Sequence, residues 1–254
     1  MDKVQESLTE ALDGLSSGMS LAVGGFGLCG IPSALIDAVL ELGVDQLSVV
    51  SNNCGTDEFG LGQLLGAHRI ARIIASYVGE NAEFARQYLA GEVEVELNPQ
   101  GTLAERLRAG GCGIPAFFTP AGVGSLVADG GLPWRYGSDG SVLVASPAKE
   151  QREFAGRHYV LEEAITTDFA LVRAAVADRF GNAQFHLAAR NFNPLCAMAG
   201  RICVVEAEQI VEVGELDPDS IHLPSIYVQR VVQVPEHNEK RIERRTVTAP
   251  KSDR

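Results

Sequence analysis

The fold of this chain is decided by residues 20–32, which read SLAVGGFGLCGIP. The apolar run from Ser20 to Val23 predicts a short buried strand that enters a glycine-rich loop. Pro32 is typical of the first turn of a helix, and apolar residues recur at helical spacing through 35–40. A second apolar run at 47–50 predicts the next strand. This order of strand, loop, helix and strand indicates an α/β fold with a mostly parallel sheet and helices on both faces.

The same alternation continues toward the C-terminus. Apolar patterns predict strands at 70–78 and 93–97, each followed by a helix, at 81–90 and from Thr102 onward. Thr102 with Glu105 three residues later predicts a capping box at the start of the latter helix. The N-terminal apolar residues between 4 and 15 recur at helical spacing, so they predict an amphipathic helix.

Further strands are expected in the second half of the chain, which is richer in hairpin-like turns, so the sheet is predicted to be mixed. They are predicted at 142–146, 158–161, 169–174 and 202–206. The chain has no internal repeat, low-complexity segment or linker, so we expect one domain over 1–254. Its core should span about 3–235, and a basic tail should follow at about 240–254.

Composition excludes several classes of function. The chain has 254 residues, 46% of them hydrophobic and 21% charged, as in an ordinary globular protein. Its net charge of −12 argues against general nucleic-acid binding, which requires clustered Lys and Arg. We expect a cytoplasmic protein, because no signal peptide and no apolar stretch of about 18 residues is visible.

The cysteines and histidines predict no metal site. The five cysteines are odd in number and form no C-x-x-C pair, which is typical of reduced intracellular thiols. The five histidines are scattered and form no zinc-binding motif.

The glycine-rich loop satisfies the G-x-G-x-x-G pattern through Gly25, Gly27 and Gly30. In a dinucleotide-binding fold such a loop brings the pyrophosphate to a helix N-terminus, and an acidic residue about 20 positions on holds the ribose. Here the second strand ends in Ser51-Asn52-Asn53 without a carboxylate, which argues against NAD. Two interpretations remain: a tight turn that needs glycine for packing, or a loop that allows the close approach of a ligand or of another protein chain. The density of glycines favours the ligand.

Three amide side chains follow predicted strands. Asn52 and Asn53 come directly after the second strand, and Gln100 lies between a strand and a helix. Ligands of open α/β sheets collect at the carboxyl ends of the strands. Uncharged amides suit a carbonyl or carboxylate, although asparagine is also a common turn former.

Several long segments closely resemble the A-subunit half of family I CoA-transferases, most of all those acting on succinyl-CoA and a 3-oxo acid such as acetoacetate. They are GGFGLCGIP (24–32), SNNCG (51–55), SYVGENAEFARQYLAGE (76–92), ELNPQGTLAERLRAGGCGIPAFFTPAGVGS (96–125), DFALVRA (168–174) and ARNFNP (189–194). The resemblance implies the fold that CoA-transferases share with sugar-phosphate isomerases. It also implies a ping-pong reaction in which a glutamate takes CoA from the acyl-CoA and passes it to the second acid.

The resemblance also implies where the site residues lie. The CoA loop would comprise Gly24, Gly25, Phe26, Gly27, Leu28, Cys29 and Gly30, and the acyl site would include Asn52, Asn53 and Gln100. The family's nucleophilic glutamate belongs to a Ser-Glu-Asn-Gly motif of the B subunit, and this chain lacks that motif. We interpret Glu80 as structural or interfacial and Asn81 as a helix cap.

The resemblance therefore predicts a B-subunit partner, in an αβ or α2β2 assembly, and CoA as a substrate rather than a permanently bound cofactor. Three alternatives stay open: the same chemistry on 3-oxoadipate, a single-chain sugar-phosphate isomerase, and a non-catalytic acyl-CoA-binding protein.

Overall fold

A computed structural model describes residues 1–235 and 238, so the predicted basic tail at 240–254 lies outside the described residues. The centre of the fold is an eight-stranded sheet with the order β13-β12-β10-β1-β2-β3-β4, in which β11 pairs with β10. All neighbours along this path are parallel, and β11 is antiparallel to β10. The strands are β1 Ser20–Val23, β2 Leu47–Val50, β3 Ile70–Ala75, β4 Glu94–Leu97, β10 Thr167–Asp178, β11 Ala183–Gln184, β12 Gly200–Val211 and β13 Arg230–Gln233. The mostly parallel, mixed sheet predicted from the sequence is confirmed.

Two small antiparallel units are inserted between β4 and β10. One is a three-stranded sheet and the other a hairpin. Their strands are β5 Ala116–Thr119, β6 Pro133–Tyr136, β7 Val142–Ala145, β8 Gln151–Phe154 and β9 Arg157–Glu163.

Seven α-helices occur within the described part of the chain. They are α1 Leu8–Ala11, α2 Ser33–Leu42, α3 Leu61–Gly66, α4 Ala82–Leu89, α5 Gln100–Gly111, α6 Leu126–Asp129 and α7 Asn193–Ala199. Side chains alternate between the two faces of the sheet, as the pleat of a strand requires. Leu21 and Val23 pack into one buried core with α2, α3 and α4, whereas Ala22 packs into the other with α5 and α7.

Two local predictions about helices are wrong. The N-terminal helix is a single turn, because Val4 instead pairs with Val231 of β13, so a tertiary contact overrides the helical periodicity. Helix α5 begins at Gln100 with Pro99 as its N-cap, and the Thr102 hydroxyl has no hydrogen-bond partner among the described residues. The predicted capping box does not form because the helix begins before Thr102, which therefore lies inside the first turn and is not the N-cap. Glu105 pairs with Arg108 instead.

The cap predicted for α4 is confirmed. Asn81 Oδ1 accepts a hydrogen bond from the Phe84 N–H at 2.7 Å, and its Nδ2 donates to the Cys54 carbonyl at 2.9 Å. One buried amide therefore starts α4 and also ties it to the loop after β2.

Candidate functional site

The carboxyl ends of β1 to β4 meet at one edge of the sheet, because these neighbouring strands are parallel. The glycine loop, residues 24–30, follows β1; Ser51 to Asn53 follow β2; Ser76 follows β3; and Asn98 to Gln100 follow β4. The segments that the sequence analysis singled out separately thus lie side by side.

Three amides form a connected group at this edge, which we call the amide cluster: Asn52, Asn53 and Gln100. Gln100 Nε2 donates to Asn52 Oδ1 at 2.8 Å, and Asn52 Nδ2 donates to Asn53 Oδ1 at 3.3 Å. The glycine loop joins the group, because the Gly27 N–H donates to Asn53 Oδ1 at 3.0 Å. The structure therefore brings together the three amides that the sequence predicted for one site.

The backbone fixes the orientation of each amide. A backbone N–H only donates, so the Asn53 atom facing Gly27 is its oxygen. Asn53 Oδ1 then receives Asn52 Nδ2, which leaves Asn52 Oδ1 as the acceptor for Gln100 and for the Ser76 hydroxyl at 2.8 Å. Asn52 is 1% exposed, and both atoms of its amide bond to neighbouring side chains of the site. By contrast, Asn53 Nδ2 and one hydrogen of Gln100 Nε2 have no hydrogen-bond partner among the described residues. The cluster thus presents hydrogen-bond donors.

The glycine loop closes on itself as a tight turn. The Phe26 N–H donates to the Cys29 carbonyl at 3.1 Å, and the Cys29 N–H returns a bond to the Phe26 carbonyl at 3.0 Å. Gly27 lies between them with φ +59°, in the left-handed region that favours glycine. This conformation presents the Gly27 amide to Asn53 and leaves the Phe26 side chain 47% exposed at the tip.

The segment after β11 packs closely against the two ends of this loop, Gly24 and Gly30, which we call its stems. A Cβ on Gly24 would lie 1.9 Å from Asn193 Oδ1, and one on Gly30 would lie 2.8 Å from the Ala189 carbonyl oxygen. Gly24 and Gly30 are therefore glycines because their own chain packs on them. The packing interpretation holds for these two positions, and the ligand interpretation of the loop stays a prediction.

The N-terminus of α2 cannot serve as a pyrophosphate cradle. Glu206, which is fully buried on β12, accepts a hydrogen bond from the Leu35 N–H at 2.8 Å. Its carboxyl group takes the place that a phosphate oxygen would occupy in a dinucleotide site. Burial raises the pKa of Glu206 to about 8, against the opposing effect of Arg173, whose Nη1 lies 3.1 Å from Glu206 Oε1.

A second network fixes the turn that carries Gln100. Arg106 of α5 donates from Nη1 to Asn98 Oδ1 at 2.7 Å and to Glu96 Oε1 at 2.5 Å. Burial opposes the charge of Glu96, but Arg106 and Arg72 outweigh it and hold the pKa of this carboxyl below its usual range. The strand end on one side of Gln100 and the helix on the other are thereby locked together.

No nucleophile belongs to the amide cluster itself. Cys54 follows Asn53 but is fully buried, and burial raises the pKa of its thiol, which keeps it protonated and unreactive. Glu80 is exposed and follows Gly79, where an added Cβ would lie 3.6 Å from Asn53 Nδ2. Among the described residues, no group of His, Cys, Asp and Glu could hold a metal ion.

Sequence reasoning missed Ser76, Asn193, Glu206 and Arg106 as parts of this site. Ser76 directly follows β3, but the strand predicted at 70–78 placed it inside the strand, so its position at the strand end was not recognised. The other three act through contacts between segments far apart in the chain, so no local pattern marks them.

Known proteins resemble this chain along nearly its whole length. The family model described as Coenzyme A transferase matches residues 5–234. A Mycobacterium tuberculosis (strain ATCC 25618 / H37Rv) protein, named as the A subunit of a probable succinyl-CoA:3-ketoacid coenzyme A transferase, is 64% identical over 247 residues, covering 97% of this chain and 99% of that protein. This chain belongs to the coenzyme A transferase family.

Other members of the coenzyme A transferase family match as well. The A subunit of the succinyl-CoA:3-ketoacid coenzyme A transferase of Helicobacter pylori (strain J99 / ATCC 700824) is 55% identical over 251 residues, covering 99% of this chain and all (100%) of that protein. The mitochondrial succinyl-CoA:3-ketoacid coenzyme A transferase 2A of Mus musculus is 54% identical over 238 residues, which cover 93% of this chain but 45% of the mouse protein. The resemblance stated from the sequence is thereby confirmed.

The fold agrees with this family. A crystal structure of an acyl-CoA transferase from E. coli O157:H7, in a thioester complex with CoA, superimposes with a TM-score of 0.77 at 22% identity, over 93% of this chain and 48% of that one. Glutaconate coenzyme A-transferase from Acidaminococcus fermentans superimposes with a TM-score of 0.75 at 22% identity, over 92% of this chain and 76% of that one. At this identity the likeness shows the fold alone. In the described part of this family member, no helix is long and apolar enough to cross a membrane.

Proposed function

We propose that this chain is the A subunit of a two-subunit transferase that moves CoA between succinyl-CoA and a 3-oxo acid such as acetoacetate. The nucleophile is a glutamate of the B subunit, and the reaction is ping-pong through a glutamyl-CoA thioester. Gln100 and Asn53 line the acyl site, Asn52 holds both in place, and the glycine loop lies against the thioester end of CoA.

The observation that supports this most strongly is the composition of the amide cluster. Its free donors, Asn53 Nδ2 and one hydrogen of Gln100 Nε2, are uncharged and preorganised by bonds of 2.8 to 3.3 Å within the cluster. Such donors stabilise an oxyanion as it develops on a reacting carbonyl. The three amides supply no carboxylate, and the proposal assigns that group to the B subunit.

The chemistry needs oxyanion donors at two stages. The glutamate carboxylate attacks the thioester carbonyl and the C–S bond breaks. CoA leaves as a thiolate, and an acyl-glutamyl anhydride remains. The thiolate then attacks the glutamyl carbonyl and releases the acid as a carboxylate. Each attack passes through a tetrahedral oxyanion, and the second substrate reverses both steps.

The substrates are proposed from the relatives. The proteins from Mycobacterium tuberculosis, Helicobacter pylori and mouse are all named for succinyl-CoA and a 3-ketoacid, and no observation favours 3-oxoadipate. The mouse protein aligns over 45% of its length, which leaves room for a B half in the same polypeptide. A sugar-phosphate isomerase is disfavoured because Glu206 occupies the N-terminus of α2.

A partner surface around the site supports a two-subunit enzyme. Large apolar or aromatic side chains border this edge of the sheet and face solvent: Phe26 is 47% exposed, Tyr77 59% and Leu187 81%. Exposed apolar groups gathered around a functional site mark an interaction surface. We infer that the B subunit covers it. The αβ or α2β2 stoichiometry, the cytoplasmic location and the absence of a bound cofactor stay predictions.

Co-purification with the product of the neighbouring gene tests this function. The complex should transfer CoA from succinyl-CoA to acetoacetate, with 3-oxoadipate as the competing acceptor and the present chain by itself as the control. Turnover by this chain without its partner would refute the proposal, and preference for 3-oxoadipate would correct the substrate.

A chemical label locates the nucleophile. Borohydride added after succinyl-CoA should reduce the glutamyl thioester and mark a glutamate of the B subunit, which peptide mass spectrometry identifies. The Glu80→Gln complex should be labelled and turn over as the wild type does, because Glu80 is exposed and stands outside the cluster. A label on Glu80 would overturn the division of labour between the two polypeptides.

A further inference from the structure

The side chain of Asn193 lies between the two stems of the glycine loop. It is the first residue of α7 and is 0% exposed. Its Nδ2 donates to the Gly30 carbonyl at 2.8 Å and to the Ala189 carbonyl at 2.7 Å, and its Oδ1 accepts from the Arg173 N–H at 3.2 Å. All the hydrogen bonds of this amide therefore go to backbone groups.

One of these bonds replaces a backbone hydrogen bond between strands β1 and β10. The Gly24 N–H donates to the Leu171 carbonyl at 2.9 Å, which continues the parallel ladder between β1 and β10. In such a ladder the next bond would run from the Arg173 N–H to the Gly24 carbonyl. Instead, the Arg173 N–H bonds Asn193 Oδ1. The asparagine thus ends the pairing where the chain must leave the sheet to form the loop.

The contact with both stems is close. A Cβ on Gly24 would lie 1.9 Å from Asn193 Oδ1, so the first stem lies directly against this amide. The second stem is held through the Gly30 carbonyl, and a neighbouring residue adds a bond from Asn191 Nδ2 to the Cys29 carbonyl at 2.9 Å. The loop is therefore anchored at its start and at its end.

Asn193 is itself held by a buried network that contains Arg173 and Glu206. Arg173 is 6% exposed, and its guanidinium donates from Nη1 to the Ser33 hydroxyl at 3.1 Å and to Glu206 Oε1 at 3.1 Å. Glu206 holds the start of α2, the helix that follows the loop. Asn193 is thus linked through Arg173 to both strand β12 and helix α2.

We propose that Asn193 is a positioning residue that holds the glycine loop in its acyl-CoA-binding conformation before substrate arrives. This rests on the function proposed above. Asn193 touches no reacting atom; it acts through Gly24 and Gly30, and through them it sets the Gly27 amide that orients Asn53. The loop is preorganised, so little ordering accompanies the binding of the thioester.

The proposal predicts unequal effects on the two half-reactions. Acyl-CoA must find the loop in place, whereas the 3-oxo acid meets an enzyme to which CoA is already covalently attached. Displacing the loop therefore lowers kcat/KM for succinyl-CoA more than kcat/KM for acetoacetate. A loss of folded protein would lower both values by the same factor.

The decisive variant is Asn193→Asp in the complex with the B subunit. Aspartate keeps the acceptor for the Arg173 N–H, but it places a carboxylate against the Gly30 and Ala189 carbonyls, where two N–H donors are lost. We expect kcat/KM for succinyl-CoA to fall about tenfold at pH 8, and kcat/KM for acetoacetate to fall less than about fivefold.

A second measurement does not depend on activity. Hydrogen exchange of the peptide that contains residues 24–30 should be faster in the Asn193→Asp complex than in the wild type. Asn191→Ala removes the bond to the Cys29 carbonyl, together with local bonds to Ala188 and Phe192, and it should show the same two effects more weakly. It also keeps the idea testable if the aspartate variant does not fold.

Val231→Ala is the matched control, because Val231 is 0% exposed in the edge strand β13, which β12 and β10 separate from β1. It should lower thermal stability and leave the ratio of the two kcat/KM values unchanged. Equal losses for both substrates, or unchanged exchange of the loop in Asn193→Asp, would overturn the proposal. Absence of CoA transfer by the wild-type complex would instead refute the proposed function, while the exchange experiment would still decide the role of Asn193.

Discussion

Replacing Gln100 by alanine separates the chemistry of the amide cluster from its architecture. The Gln100 side chain is exposed, and it makes one hydrogen bond, from Nε2 to Asn52 Oδ1 at 2.8 Å. The same oxygen also accepts from the Ser76 hydroxyl at 2.8 Å, so Asn52 keeps a partner after the truncation. No buried polar atom of Asn52 loses its last hydrogen bond.

The expected magnitudes differ enough to decide the role of Gln100. Loss of one net hydrogen bond at a partly solvated site costs about 0.5–1.5 kcal/mol of folding free energy. In a domain of this size that lowers Tm by only about 1–6 °C. Loss of one donor to a developing oxyanion costs about 2.7–4 kcal/mol of transition-state stabilisation, or a factor of about 100 to 1,000 in kcat. The loss of activity should therefore far exceed the loss of stability.

The assay is steady-state CoA transfer by the complex, with Tm and complex formation measured on the same preparation. Ser76→Ala is the matched control: it removes the other donor to Asn52 Oδ1 but no donor from the acyl site, so kcat should fall less than about threefold. Gln100→Glu should be as inactive as Gln100→Ala, because a carboxylate repels an oxyanion. A wild-type kcat in Gln100→Ala, with the complex intact, would show that Gln100 does not stabilise the oxyanion.

Two further predictions concern the support beneath the loop. Gly24→Ala places a Cβ 1.9 Å from Asn193 Oδ1 and should lower the free energy of unfolding by about 1–3 kcal/mol, measured by chemical denaturation. Gly66→Ala, which has open space around it, is the control and should be neutral or stabilising. Equal denaturation midpoints for the two variants would contradict the close packing of Asn193 on Gly24. Burial raises the pKa of Glu206 from 4.5 to about 8, so the folded state binds a proton more tightly than the unfolded state between these values. Stability should therefore fall as pH rises from about 4.5 to about 8. Glu206→Gln should flatten this fall in Tm, and an unchanged slope would show that another group causes it.

The parallel sheet, the helices on both of its faces and the family all follow from patterns in the sequence. Runs such as Ser20–Val23 and Leu47–Val50 are apolar because parallel strands are buried on both faces, and the glycines after the first run mark where the chain turns sharply. Asn52, Asn53 and Gln100 could be assigned to one place because each follows a strand, and the ends of parallel strands share an edge. Local pattern also sufficed for the Asn81 cap.

The folded structure reveals how these residues are held. It showed that Val4 pairs with a strand more than two hundred positions away, which no helical periodicity reveals. It showed that Gly24 and Gly30 are glycines because Asn193 and Ala189 pack on them, and that Glu206 fills the helix end that a glycine pattern of this kind offers to a pyrophosphate. A residue pattern records local backbone preference and the apolar faces of single elements, whereas these contacts depend on which segments the completed sheet and α7 bring together.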